Sequence, residues 1–166
     1  MVQVSEAESI EGAIAGRVVS FPTDTVPALA VKPEFGGLIY QLKQRPANKP
    51  LILLGSSIDD LLPFVKYSDS ELRIWQDLIQ KHLPGALTLV LPASEKVPRA
   101  IGNTDVNTVG IRIPNCPASL NILKRTGALA TTSANISGRD PLRTMAAINE
   151  AFPSVLVLET MDLFPG

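Results

Sequence analysis

Apolar positions along this chain switch repeatedly between helical and strand spacing. Ser5-Glu6-Ala7-Glu8 has the form of a capping box, and Ile10, Ala13 and Ile14 follow on one helical face until Gly16 stops the run. Val18-Val19-Ser20-Phe21 reads as a short strand entering Pro22, and Leu29-Ala30-Val31 as a second. Pro33 stands where a first helical residue belongs, and Phe35, Leu38, Ile39 and Leu42 repeat at i, i+3, i+4, i+7. Pro46 disfavours helical geometry at Arg45, so this helix is predicted to end near Lys43. Lys43 and Arg45 are then expected on an extended exit, pointing the same way.

Leu51-Ile52-Leu53-Leu54 is a continuous apolar strand of the kind covered on both faces. Ser68-Asp69-Ser70-Glu71 offers a second capping box, opening a helix striped by Leu72, Trp75, Ile79 and Leu83 and ended by Pro84-Gly85. Leu87, Leu89 and Leu91 alternate as a strand, and residues 92–107 read as one long polar loop. Val109, Ile111 and Ile113 alternate with Gly110 and Arg112, so Arg112 is expected on the side opposite the apolar one. A helix near Ala118–Arg125, a strand at Ala128–Thr132, a helix through Met145, Ile148 and Phe152, and a strand at Val155–Leu158 complete the series. Helices and strands interleave without a repeat or a linker. The predicted fold is α/β (α+β): a single domain over residues 1–166, built on a twisted mixed sheet flanked by helices.

Composition narrows the function classes. With 45% hydrophobic and 19% charged residues the chain carries a true core. A formal charge of −1 argues against a broad basic face for nucleic acid, so any tRNA contact is expected to be weak and local. The one cysteine, Cys116, excludes an internal disulfide and a paired-cysteine metal knuckle, and a reducing cytoplasm is the expected setting. The opening residues lack a cationic segment followed by an apolar one, and no apolar run reaches membrane-spanning length, so neither a secretory leader nor a membrane location is expected.

The remaining chemistry lies in polar residues that punctuate strand ends and turns: Thr23-Asp24-Thr25, Lys43-Gln44-Arg45, Lys49, Arg112 and Ser133-Ala134-Asn135. Three pairs are spaced two apart, and on extended backbone such residues share a direction. Cations, hydroxyls and an amide aimed at one cleft suit a polyanion, above all a nucleotide triphosphate. Taken singly, each has an ordinary reading as a turn, a helix-end cation or a surface charge.

Five segments in order carry a family resemblance. They are Phe21-Pro-Thr-Asp-Thr-Val26, Lys43-Gln-Arg-Pro-Ala-Asn-Lys-Pro-Leu51, Leu83-Pro-Gly-Ala-Leu-Thr-Leu-Val-Leu91, Val109-Gly-Ile-Arg-Ile-Pro114 and Thr132-Ser-Ala-Asn-Ile-Ser-Gly138. Together they resemble the threonylcarbamoyl-AMP synthase (YrdC-like) family over roughly residues 17–143. One departure is visible: Pro27-Ala28 stand where the family pattern has Tyr-Gly. The resemblance implies an enzyme that condenses L-threonine, bicarbonate and ATP, with Mg²⁺, into threonylcarbamoyl-adenylate and pyrophosphate. A downstream threonylcarbamoyl transferase then modifies the adenosine beside the anticodon of tRNA.

The same resemblance implies roles for single residues. Lys43 and Arg45 would hold phosphates and the substrate carboxylate, and Lys49 would sit near the bicarbonate or carbamate. Ser133 and Asn135 would contact the triphosphate, with Thr132 and Arg143 also at the nucleotide. Thr23 and Thr25 would lie beside the threonine pocket, Asp24 would brace a backbone turn, and Arg112 would bind acyl-phosphate oxygens. Two readings stay open beside it: a non-catalytic RNA- or nucleotide-binding relative that has lost synthesis, and an enzyme making a different adenylate on the same fold.

Overall fold

Strand pairing around the apolar run at Leu51–Leu54 sets the frame of the molecule. The computed structural model describes residues 3–46, 48–101 and 107–159. Among these lie seven strands: β1 (Val19–Phe21), β2 (Ala28–Val31), β3 (Ile52–Leu54), β4 (Leu89–Pro92), β5 (Thr108–Arg112), β6 (Leu129–Ser133) and β7 (Leu156–Val157). They form one mixed sheet in the order β4-β5-β3-β6-β2-β1-β7. β3 and β5 run parallel, as do β1 and β7, while the remaining pairs are antiparallel. The helices are α1 (Glu6–Ile14), α2 (Gly37–Lys43), α3 (Ile58–Leu61), α4 (Asp69–His82), α5 (Pro117–Thr126) and α6 (Met145–Ala151).

Strand alternation divides the core in two. Leu29, Val31, Leu53, Ala130 and Ile111 pack with Ile39 of α2, Ile79 of α4 and Ile148 of α6. Their sequence neighbours Ala28, Ala30, Leu54 and Leu129 belong to the second cluster, with Ile10 and Ala13 of α1 and Ile122 and Leu123 of α5. Each fully buried aliphatic side chain here contributes roughly 1.5–3 kcal/mol. β3 lies mid-sheet with Leu53 and Leu54 both buried, as its unbroken apolar run predicts. Both capping boxes form: Ser5 Oγ accepts from Glu8 N–H and Ser68 Oγ from Glu71 N–H, each at 3.2 Å.

The structure departs from the sequence reading in three places. The helix expected from Pro33 is split into a 3-10 turn at Pro33–Phe35 and α2, which begins only at Gly37. Gly36 and Gly37 are weak helix formers, and at Gly36 the chain meets another segment: a Cβ there would collide with the carbonyl oxygen of Ala100. Phe35 and Leu38 consequently stay 45% and 40% exposed instead of joining a core stripe. Second, the predicted 92–107 loop is tied down along its described length. Ala93 bridges Val65, Ser94 N–H donates to Phe64 O at 2.9 Å, and a 3-10 turn at Arg99–Ile101 buries Ile101. The stretch 102–106 lies outside the described residues. Third, α3 and the 3-10 turn Leu62–Phe64 were not expected, because so short an element shows no apolar period.

Gly36→Ala is expected to destabilise the fold by about 1–3 kcal/mol, since backbone and not a flexible side chain must yield. A thermal melt should show Tm falling by roughly 2–4 °C per kcal/mol in a chain of this size. An unchanged Tm would mean that the 99–101 turn is not held against α2.

Candidate active site

The 22–27 turn is built from side chains that cap its own backbone. Thr23 Oγ donates to Val26 O at 2.7 Å and accepts from Thr25 N–H at 3.1 Å. Its hydrogen is therefore committed, so across the 3.2 Å contact between the two hydroxyls Thr25 is the donor. Thr25 Oγ then accepts from Arg112 Nη1 at 3.1 Å. Arg112 also donates through Nε to Gly85 O at 2.9 Å, and its Nη2 pairs with the Asp24 carboxylate. Asp24, expected to brace a backbone turn, instead braces this guanidinium. Arg112 points away from the apolar side of β5, as the alternation predicts, yet it is only 8% exposed because the turn folds over it.

A second cluster forms around the end of β6. Lys43 is 1% exposed, and its Nζ donates to Thr132 Oγ (3.1 Å), Ser133 O (2.7 Å) and Asn135 Oδ1 (3.1 Å). An ammonium has three N–H groups, so all of them are committed to protein oxygens. Ser133 Oγ donates to the same Asn135 Oδ1 at 2.6 Å. Asn135 Nδ2 in turn holds Ile136 O (2.9 Å) and Arg139 O (2.7 Å), which shapes the loop beyond. Arg45 donates through Nε to Lys49 O (3.2 Å), through Nη2 to Pro50 O (3.0 Å) and through Nη1 to Thr132 Oγ (3.2 Å). Thr132 Oγ thus accepts from both cations, so its own hydrogen is left to donate to a third group.

Lys43/Arg45 and Ser133/Asn135 converge on one cluster while Thr23/Thr25 joins Arg112 in the other, and the first pair does not arrive by the expected route. Lys43 is the last residue of α2, not part of an extended exit, and Gln44 adopts the left-handed region at φ 54°. That conformation costs a non-glycine residue roughly 1–2 kcal/mol, and it reverses the chain so that Arg45 returns beside Lys43. Residues 92 positions apart, Lys43 and Asn135, meet at 3.1 Å.

Between the two clusters lies a cavity of about 180 Å³. Ile52, Leu54 and Ala28 give it an apolar floor, Pro27 and Val26 one wall, and Thr23, Thr25, Arg112, Thr131, Thr132 and Ser133 its polar groups. A cavity of ~150 Å³ takes a benzene-sized molecule, so this one matches a small amino acid in size. It occupies the part of the sheet face that α1 and α5 leave uncovered, since Ala28 and Leu54 share that side with Ile10 and Ile122.

Two predicted residues stand apart. The Lys49 side chain is exposed, close enough to Lys43 to act on its charge, while its carbonyl serves Arg45. Arg143 is exposed just before the N-cap of α6, with no hydrogen bond to the cluster among the described residues. Sequence reasoning missed Ile52, Leu54 and Thr131, whose cavity-facing role depends on which strands become neighbours, and Tyr40, whose hydroxyl reaches the Lys49 carbonyl. A tyrosine one helical turn before a candidate site lysine was the available signal.

Lys43 is pulled down from its ordinary 10.5 to about 8, first by burial of the ammonium and then by the charges of Arg45 and Lys49. As pH climbs through about 8, the free protein loses that charge. kcat/KM for an anionic substrate is therefore expected to fall, approaching tenfold per pH unit. Stability runs the other way. Between about 8 and the unfolded value the unfolded chain binds more protons, so this group's contribution rises with pH. A pH profile flat to 9.5 would show that the Lys43 charge is not used.

The sequence model of the Sua5–YciO–YrdC family, described as "Telomere recombination", matches residues 13–161. A threonylcarbamoyl-AMP synthase of Hydrogenovibrio crunogenus is 36% identical over 153 residues, covering 87% of this chain and 79% of that protein. The crystal structure of P. abyssi Sua5 complexed with L-threonine superposes with a TM-score of 0.81 at 30% identity. The match covers 95% of this chain and 47% of that one, so the chain spans about half the length of that relative. E. coli YciO shares the fold, with a TM-score of 0.79 at 20% identity over 97% of this chain and 79% of its own.

Proposed function

This chain belongs to the Sua5–YciO–YrdC family, and we propose that it is a threonylcarbamoyl-AMP synthase, joining L-threonine, bicarbonate and ATP into threonylcarbamoyl-adenylate and pyrophosphate. The observation that carries this reading is the union of a cavity of amino-acid size with a buried cation cluster through Thr132 and Ser133, which belong to both.

The reaction brings together anions. A threonine carbamate must approach the α-phosphate of ATP, and like charges ~4 Å apart repel by about 4 kcal/mol at an effective dielectric near 20. Lys43, Arg45 and Lys49 offset that repulsion, while Arg112, its charge balanced by Asp24, acts as a hydrogen-bond donor; positioning then suffices without a protein nucleophile. The donors divide by what the protein has already engaged. Lys43 supplies charge and order, with its N–H groups bound to protein. The N–H groups of Arg45 and Arg112 not engaged among the described residues, the remaining Thr132 hydrogen and the exposed Lys49 ammonium are the donors left for phosphate and carboxylate oxygens. Threonine would lie in the cavity with its methyl group on Ile52 and Ala28 and its hydroxyl among Thr23, Thr25 and Thr131. Arg143 would reach the nucleotide from the rim.

Mg²⁺ would enter on the ATP phosphates. The donor set around the cluster is hydroxyl and amide, with no group of three His, Cys, Asp or Glu side chains among the described residues, so the phosphates would hold the ion without direct protein ligation. When bound, the ion supplies charge neutralisation on the phosphates. Among the described residues no helix is long and apolar enough to cross a membrane. The proposed setting is the cytoplasm, with a threonylcarbamoyl transferase as acceptor of the product and only a weak, local contact with tRNA.

Incubation with ATP, Mg²⁺ and labelled bicarbonate, with and without L-threonine, tests the reading. Labelled adenylate is expected only with threonine. Label without threonine would mean a different adenylate, and no label in either case would overturn synthesis.

A further inference from the structure

Tyr40 stands one turn of α2 before Lys43, and its side chain is half-buried. Its hydroxyl contacts two backbone carbonyls, Lys49 O at 2.5 Å and Ile101 O at 3.1 Å. A phenol has a single hydrogen, so the two carbonyls share it in a three-centre bond whose shorter arm lies to Lys49. That same Lys49 carbonyl accepts from Arg45 Nε at 3.2 Å, and the neighbouring Pro50 carbonyl accepts from Arg45 Nη2 at 3.0 Å. These two bonds set the plane of the guanidinium, and in that plane Nη1 meets Thr132 at 3.2 Å. The Ile101 carbonyl is held from its other side by Leu51 N–H at 2.9 Å. One hydroxyl therefore joins α2, the segment carrying Lys49 and the far end of the 93–101 stretch. The close approach of Gly36 to Ala100 keeps that stretch within its reach.

We propose that Tyr40 is a positioning residue for the anion site: its hydroxyl fixes the Lys49 carbonyl, which orients Arg45, and registers both against the turn ending at Ile101. The proposal rests on the synthase reading for its effect on catalysis, but its structural core does not. Losing the Tyr40 hydroxyl leaves the Arg45 charge in the site and loosens only its placement, so it weakens nucleotide binding more than the chemical step. A residue that merely packs would instead lower Tm or the active fraction and leave KM alone.

Tyr40→Phe keeps the ring and removes only the hydroxyl. The KM for ATP is expected to rise about 3- to 10-fold, the size of one neutral hydrogen bond, with kcat within about twofold. In ¹H–¹⁵N spectra of the unliganded protein the Arg45 Nε–H signal, identified by its loss in Arg45→Lys, should shift or broaden. A KM for ATP within about 1.5-fold of wild type, or an Arg45 signal left in place, overturns the proposal. If the wild-type protein makes no adenylate, the synthase reading falls, and the Arg45 signal alone decides the role of Tyr40: movement supports it and none overturns it.

Discussion

Asn135→Ala is expected to lower threonine-dependent pyrophosphate release by about 10³-fold while leaving the far-UV circular dichroism unchanged. The amide is the joint of the cation cluster. Its Oδ1 receives Lys43 Nζ and Ser133 Oγ, and its Nδ2 holds the Ile136 and Arg139 carbonyls. Truncation frees the ammonium, the serine hydroxyl and the following turn together. Losing one preorganised group at a charge-stabilising site costs roughly 2.7–4 kcal/mol, which is 10²–10³ in rate, and several groups move here at once. The β6 ladder with β2 and β3 depends on backbone pairs the substitution does not touch, so the fold survives. Lys43→Ala and Arg45→Ala should match it within an order of magnitude, because groups acting as a unit are not additive. Asn135→Asp is also expected to fail: it preserves the acceptor but places a negative charge where phosphates must come. Turnover of Asn135→Ala within tenfold of wild type would remove this cluster from the mechanism.

Arg112→Met is expected to act on stability and on threonine use together. The guanidinium ties β5 to the 22–27 turn through Asp24 and Thr25 and to Gly85 O. Without it, Asp24 loses its ion-pair partner in a partly shielded position. The side chain keeps some solvent, so the cost is nearer 1–3 kcal/mol than that of a fully buried pair, a fall in Tm of about 3–10 °C. The cavity wall moves with the turn, and kcat/KM for threonine should drop by about 100-fold. Adding Asp24→Asn to Arg112→Met separates the two effects. The neutral amide recovers much of the lost stability, read by thermal melt, while threonine use stays impaired. Full recovery of both would assign Arg112 a purely structural role.

The elements were legible to the extent that they carry a period or a cap. The capping boxes at Ser5 and Ser68, the alternation of Val109, Ile111 and Ile113, and the run at Leu51–Leu54 each state their structure locally, and each formed. The split at Gly36 was not legible, because the partner that forces it, the Ala100 carbonyl, lies 64 positions further on. Among site residues, the spacing of Thr23 and Thr25, Lys43 and Arg45, and Ser133 and Asn135 pointed to convergence. The means was misread for Lys43, since Gln44 turns left-handed and nothing in a glutamine announces it. The sequence places Asp24 in its own turn because a local partner is the default for a short side chain, whereas its actual partner enters from β5.

The sequence by itself determined the mixed α/β class, the family and the side chains that carry charge and hydroxyls, because periodicity, caps and ordered motifs are properties of neighbouring residues. Only the tertiary structure decided that Lys43 commits its hydrogen bonds to the end of β6 and to Asn135 beyond it, that Arg112 is paired, and that Ile52, Leu54 and Ala28 line the cavity between them. Those outcomes depend on the strand order, which brings β3, β6 and β2 side by side from three distant stretches of chain. Pairing of that kind is chosen by the burial of the whole sheet, and no local pattern encodes it.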